Sequence, residues 1–179
     1  NDKVELGPLL QYRMSRNDVE SNRVEKMDKV DSAIAAGAFL TGRVDNFSAT
    51  VKFATDVSDD DTGYTVTLGG DYQAKVSEKL KMTFGLSTTY ASDDYMETYF
   101  QIDNGNRGNT TLKNYKSNDG EWKDVGVHMV ANYSINDSWS IVGNLGYKHL
   151  LGDAKDSPIV DDAGSESQMF IGATAVYTF

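Results

Sequence analysis

Apolar and small residues recur at every second position in eight stretches of the chain. From 33 to 44 the alternating set is Ile34, Ala36, Ala38, Leu40, Gly42 and Val44, and from 47 to 57 it is Phe47, Ala49, Val51, Phe53, Thr55 and Val57. From 64 to 76 it is Tyr64, Val66, Leu68, Gly70, Tyr72, Ala74 and Val76, and from 80 to 90 it is Leu80, Met82, Phe84, Leu86, Thr88 and Tyr90. Val125, Val127, Met129, Ala131, Tyr133 and Ile135 form a sixth set, and Trp139, Ile141, Gly143, Leu145, Tyr147 and His149 a seventh. The last is Met169, Ile171, Ala173, Ala175, Tyr177 and Phe179. A weaker first set, from 4 to 13, holds Leu6, Pro8, Leu10 and Tyr12. A period of two places such a set on one face of a strand, so the pattern predicts eight β-strands. Pro8 has no N–H to give to a ladder, which puts the first strand at an edge or beside an irregularity.

The connections alternate in length. Asp45-Asn46, Ser77-Glu78-Lys79 and Asn136-Asp137 are tight turns with suitable turn chemistry. Between them lie long polar segments at 14–32, 56–63, 91–123 and 151–167. Strict short–long alternation is the habit of an up-and-down membrane β-barrel, with short periplasmic turns and longer extracellular loops. The reading is therefore an all-β, antiparallel, transmembrane up-and-down barrel in a single domain over 1–179, with both chain ends on the turn side.

Charge placement agrees. The alternating faces carry no Asp, Glu, Lys or Arg, whereas the opposite faces carry Arg13, Arg43, Lys52, Lys75, Lys81 and Lys148 together with Glu5, Asp71 and His128. Lys or Arg facing lipid at the midplane costs about 2–4 kcal/mol, so the charge-free face is expected in lipid. The charged residues, Arg13, Arg43, Lys52, Asp71, Lys75, Lys81, His128 and Lys148, are then expected to line the lumen. Aromatic residues fall at strand ends: Tyr12, Tyr64, Tyr90 and Tyr147 toward the long loops, and Phe47, Tyr72, Tyr133, Trp139, Tyr177 and Phe179 toward the turns. These are the expected girdles at the two membrane interfaces. A soluble lipocalin-like barrel would turn the polar faces outward instead.

Composition narrows the function. Lys and Arg number 17 against 27 Asp and Glu, a net charge of −10, which argues against nucleic acid as a partner. There is no cysteine, hence no disulfide framework or thiolate metal site. No apolar run approaches the roughly 18–20 residues of a transmembrane helix. His128 and His149 are the only histidines and fall on opposite faces, which disfavours a shared metal. No nucleophile motif or acid/base pair emerges, so the chain reads as a non-enzyme with no cofactor. The stretch "DVSDDDTG" lacks EF-hand spacing and reads as a solvated acidic loop. In "DDYMETYF" the residues Asp93, Asp94, Tyr95, Tyr99 and Phe100 form a candidate outer-loop epitope. The alternative is that Tyr95, Met96 and Phe100 fold down over the barrel mouth to bury apolar area.

Several segments resemble the MltA-interacting protein (MipA/OmpV) family of Gram-negative outer membranes. They are "LGPLLQYR", "ASDDYMETYF", "KDVGVHMVANYSINDSWSIVGNLGY" and "LLGDAKDSPIVDDAGSESQMFIGATAVYTF". The resemblance implies an outer-membrane scaffold that bridges a murein-degrading lytic transglycosylase and a murein-synthesising penicillin-binding protein. The turn residues Asp45, Asn46, Ser77, Glu78, Lys79, Asn136 and Asp137 are the candidate contacts. Outer-membrane lipid and lipopolysaccharide are the implied surroundings. Tyr177 and Phe179 resemble the terminal signal read by the insertion machinery. Other roles described in the family, a surface antigen or adhesin and a porin-like route for small solutes or antibiotics, remain as alternatives. Family members usually carry further strand-like sequence before the segment matching "LGPLLQYR". Two expectations follow: the chain is a C-terminal portion of a barrel of ten to twelve strands, of which it holds eight, or it is a short member with eight.

Overall fold

The computed structural model describes residues 3–15, 21–58 and 62–178; Asp59, Asp60, Asp61 and Phe179 lie outside them. Eight antiparallel strands follow one another in a single up-and-down sheet, in the order β1-β2-β3-β4-β5-β6-β7-β8. They are β1 Val4–Arg13, β2 Ala33–Val44, β3 Phe47–Asp56, β4 Tyr64–Lys75, β5 Leu80–Ala91, β6 Glu121–Ser134, β7 Trp139–Leu150 and β8 Ser167–Tyr177. The sheet is a half-barrel, since β1 and β8 are not bonded to each other. Three short helices belong to the long connections: α1 Asn22–Glu25, α2 Asp93–Phe100 and α3 Gly152–Asp156.

Alternation selects the faces as expected. Ile34, Leu40, Val51, Phe84, Leu86, Val127, Ile141 and Leu145 are all exposed on one face. On the other face Phe39 lies over Gly7, and Phe170 lies over Gly146, where a β-carbon would collide with the ring. Large and small residues thus interlock across neighbouring strands of the polar face.

The β2–β3 turn is two residues, with Val44 opposite Phe47 and Asp45 at φ 51°, a left-handed conformation Asp tolerates. The other two turns are longer than expected. In the first, the Ser77 hydroxyl accepts from the Lys79 and Leu80 amides at 3.3 and 3.1 Å. In the second, Asn136 Oδ1 accepts from the Ser138 and Trp139 amides at 3.0 and 2.9 Å. Side chains that hold the turn from within let each strand stop early.

The sixth strand begins at Glu121 rather than Val125, because it contains a bulge. Thr89 pairs with Asp124 while Tyr90 pairs with Trp122, leaving Lys123 as the extra residue. A bulge turns two successive side chains to one face. Lys123 and Asp124 both enter the polar face, and Trp122 joins the apolar one.

The edges are long and apolar. The Arg43 amide bonds the Lys3 carbonyl, so bonded pairs of the β1–β2 ladder fall at odd residues of β1. Pro8 is at an unbonded pair, and its nitrogen points to the open edge. Leu10 on β1 is 76 % and Ile171 on β8 is 84 % exposed, against 45 % for Phe84 in mid-sheet.

Candidate functional site

Polar-face charges gather in three places. In mid-sheet, Asp71, Gly85 and His128 are consecutive partners across β4, β5 and β6. His128 Nε2 lies 3.0 Å from Asp71 Oδ1. A β-carbon on Gly85 would strike both groups, so only glycine permits this contact. Toward the turns, Arg43 Nη1 meets Glu5 Oε2 at 2.8 Å. Lys75 and Lys81 face each other directly in the register. They and Lys52 make no ion pair among the described residues.

The third group lies beneath the long loops. Asp124 is fully buried, and its Oδ2 takes the Lys123 ammonium at 2.6 Å and that of Lys148 at 3.5 Å. Its backbone carbonyl accepts from the Thr88 hydroxyl at 2.7 Å. Above it, the Tyr95 ring receives Arg13 at 5.0 Å and Lys123 at 5.5 Å from its centroid. Arg13 also donates to the Thr62 hydroxyl at 3.3 Å. Burial pushes the Tyr95 phenol above its ordinary pKa; Arg13 opposes the shift and Asp124 adds to it.

These contacts anchor a packed cap. Ser92 ends β5's extension and accepts from the amides of Tyr64 and Tyr95 at 3.0 and 3.3 Å, capping α2. Met96 and Phe100 are buried with Ala91, Leu150, Ala154 and Val160, while Tyr95 and Tyr99 pack against this cluster. Asp93 and Asp94 stay exposed. A second cluster joins Val24, Met27, Ile102 and Leu112, with Tyr115 and Ile159 against it. The Ser157 hydroxyl donates to the Phe100 carbonyl at 2.6 Å, tying α3 to α2. Tyr115 donates to the Asp153 carbonyl at 3.0 Å, and burial followed by nearby acids pushes its phenol up to about 12.

The apolar face carries chains of rings. Toward the loops, Phe53, Tyr64, Tyr90 and Trp122 follow one another with centroids 5.7, 6.5 and 5.8 Å apart. Toward the turns, Phe47 meets Tyr72 at 4.9 Å and Trp139 meets Tyr177 at 5.0 Å. Tyr12 and Tyr133 are exposed on that face, and Tyr147 reaches the Ser167 hydroxyl at 2.9 Å. Asp45, Asn46, Ser77, Glu78, Lys79, Asn136 and Asp137 all fall at the end opposite the cap.

Residues 1–179 match the family described as MltA-interacting protein MipA. The chain belongs to that family. Two curated relatives, "Putative outer membrane protein YiaT" of Escherichia coli strain K12 and of O157:H7, are each 24 % identical over 144 residues. The match covers 80 % of this chain and 57 % of each relative, so the chain spans little more than half their length. Among solved structures, Neisserial surface protein A overlaps 98 % of this chain and 96 % of its own, at 12 % identity and a TM-score of 0.36. This MipA-family chain is an outer-membrane protein.

Sequence reasoning missed three parts of the MipA-family site. The period of two ends the polar segment at Lys123 and starts the alternating set at Val125, with no role for Lys123 or Asp124, yet they form the most buried charge pair among the described residues. The signal was legible in "EWKDV", where an aromatic precedes two adjacent charges and breaks the period of two. Trp122 and Phe53 belong to the ring chains. The helix α2 was announced by Ser92-Asp93-Asp94, a cap residue followed by first-turn acids.

Proposed function

We propose that this MipA-family chain is a non-enzymatic, membrane-embedded scaffold that holds a murein lytic transglycosylase at its periplasmic turn side. The family's name supports the partner, since it describes interaction with MltA. The single structural observation behind the scaffold reading is the cap. The loop end is packed with two apolar clusters and clamped at Tyr95 by Arg13 and Lys123, a poor mouth for an open channel. The turn end is left as the free surface. In this reading the polar-face charges line the lumen, the ring chains mark the interfaces and the long loops are extracellular.

Three turns alone offer little of the roughly 800 Å² per partner of a standard interface. Further strands paired at the β1 and β8 edges would bring further turns and complete a barrel of ten to twelve strands. A penicillin-binding protein is a second partner of the same surface.

Capture of the lytic transglycosylase on the detergent-folded protein tests the scaffold. Substituting Asp45→Asn, Glu78→Gln and Asp137→Asn together should weaken capture, while Asp94→Asn on the cap should not. Capture unaffected by the turn substitutions would overturn the turn-side scaffold.

A further inference from the structure

The apolar face of the sheet carries a groove of about 650 Å³. Its walls are two rows of register partners. On the turn side run Phe47, Tyr72, Phe84, Met129 and Leu145, from β3 to β7. On the loop side run Leu86, Val127, Tyr147 and Met169, from β5 to β8. Between them lies the row of Ser48, Asp71, Gly85, His128 and Gly146, which faces the polar side. The floor is therefore main chain already bonded within the sheet. At β4 the loop-side wall is missing, because the residue beside Leu86 there is Gly70. A β-carbon on Gly70 would meet nothing within 4 Å, so the groove is widest at that point, next to the Phe47–Tyr72 ring pair.

The groove crosses the sheet obliquely. Phe47 opens β3 at the turn end, whereas Met169 lies near the loop end of β8. On β7 it is Trp139, not Leu145, that stands at the turn-end ring chains, although Leu145 shares the row of Phe47. The groove thus climbs away from the turn-side interface as it passes from β3 to β8. Five strand spacings of about 4.8 Å make it about 24 Å long. Barrel strands tilt by about 35–45°, so a line square to them stands about 50° from the membrane normal and rises about 15 Å over that length. Half of a hydrocarbon core about 30 Å thick is the same depth, one leaflet.

What fills the groove must be narrow and wholly apolar. Rows two residues apart on a strand are about 7 Å from each other, too close for an α-helix of about 10 Å diameter. An extended peptide would bring N–H and C=O groups to walls that offer them no partner. An extended hydrocarbon chain meets both limits, and within lipid it gains by close packing against the walls. With the turns in the periplasm, the lipid at the lower end is a phospholipid. We propose that the groove seats one acyl chain of a phospholipid in the turn-side leaflet, its headgroup at Phe47 and Tyr72 and its chain end toward Met169. The inference rests on the membrane orientation of the scaffold reading, not on its partner.

The test is native mass spectrometry of the full chain, folded in detergent and titrated with 1-palmitoyl-2-oleoyl-phosphatidylethanolamine. One lipid adduct should saturate before further lipid adds. Gly70→Leu fills the widest point and should weaken that adduct by about fivefold or more. Gly143→Leu is the matched control, because Gly143 is on the same face, its β-carbon also meets nothing within 4 Å, and it does not line the groove. It should leave the adduct unchanged. Both variants should melt no lower than the parent without lipid, so that lost binding is not lost structure. Glycerophosphoethanolamine, the headgroup without chains, should not compete. Lipid adding with no saturable first adduct, unaltered binding in Gly70→Leu, an equal loss in Gly143→Leu, or tighter binding of lipid A would each overturn the proposal. So would a lipid-free dimer that Gly70→Leu breaks. Failed transglycosylase capture while Gly70 still governs lipid binding would strike the scaffold and spare the groove.

Discussion

Asp124 is the residue on which the loop end of the polar face turns. Its carboxylate faces both the Lys123 and the Lys148 ammonium, and Lys123 is itself largely buried. Removing one partner of a buried pair strands the other charge, at a cost of about 3–5 kcal/mol. Asp124→Ala should lower unfolding stability in detergent by an amount in that range, as read by urea titration. The paired change Lys123→Met with Asp124→Leu should recover much of it. Tyr115 sets a pH limit on the cap. Its pKa is raised to about 12 by burial and nearby acids, against 10.0 for a free phenol. Below pH 10 it is neutral folded or unfolded, and its full contribution is present. Between pH 10 and about 12 the unfolded chain ionises while folded Tyr115 keeps its proton, so cap stability is lost across that window. Hydrogen exchange at Ile102 and Leu112 should accelerate there, and Tyr115→Phe should flatten that part of the profile.

At the scale of elements, α2 acts as a latch. Its hydrophobic side packs Met96 and Phe100 into the cap, and Tyr95 reaches down to Arg13 and Lys123 on the sheet. Each cation–π contact contributes about 0.5–2 kcal/mol according to its desolvation. Tyr95→Ala should therefore loosen the cap and leave the strands intact. Hydrogen exchange should rise at Met96 and Phe100 and stay unchanged in β2 and β3. The bulge at Lys123 makes this possible, since a regular strand would send either Lys123 or Asp124 into the apolar face.

At the scale of the whole molecule, the two open edges carry the next question. An unpaired backbone group in lipid costs several kcal/mol, so a sheet edge in a membrane has to be paired. Alternation leaves the N–H groups of Leu6, Leu10 and Tyr12 on one edge facing out. By the same logic, from the Thr178 amide bonded to the Ser138 carbonyl, Met169, Ile171 and Ala173 face out on the other. If further strands complete the barrel, Leu10→Cys and Ile171→Cys in the full-length protein in membranes should not cross-link under oxidation. Efficient cross-linking would mean that β1 and β8 close directly on each other. Both edges are antiparallel to their neighbours, so an even number of added strands satisfies the up-and-down order.

Strand number, strand order and facing were legible in the chain itself. A period of two is a local property, and lipid on one side enforces it at every position of Ile34–Val44 or Leu80–Tyr90 without reference to any distant residue. The two-residue turn at Asp45-Asn46 followed for the same reason, whereas the other two turns are longer than the pattern predicts. The pairing of Asp71 with His128, the clamp on Tyr95 and the burial of Asp124 were decided only by the tertiary structure. Each depends on register between strands or on a loop folding back, and residues 13, 95, 123 and 148 meet through space alone. Ser117 is the sharpest case. By itself it is one hydroxyl in a polar loop; its burial comes from Gly120 and Asp153, which bring that loop against α2.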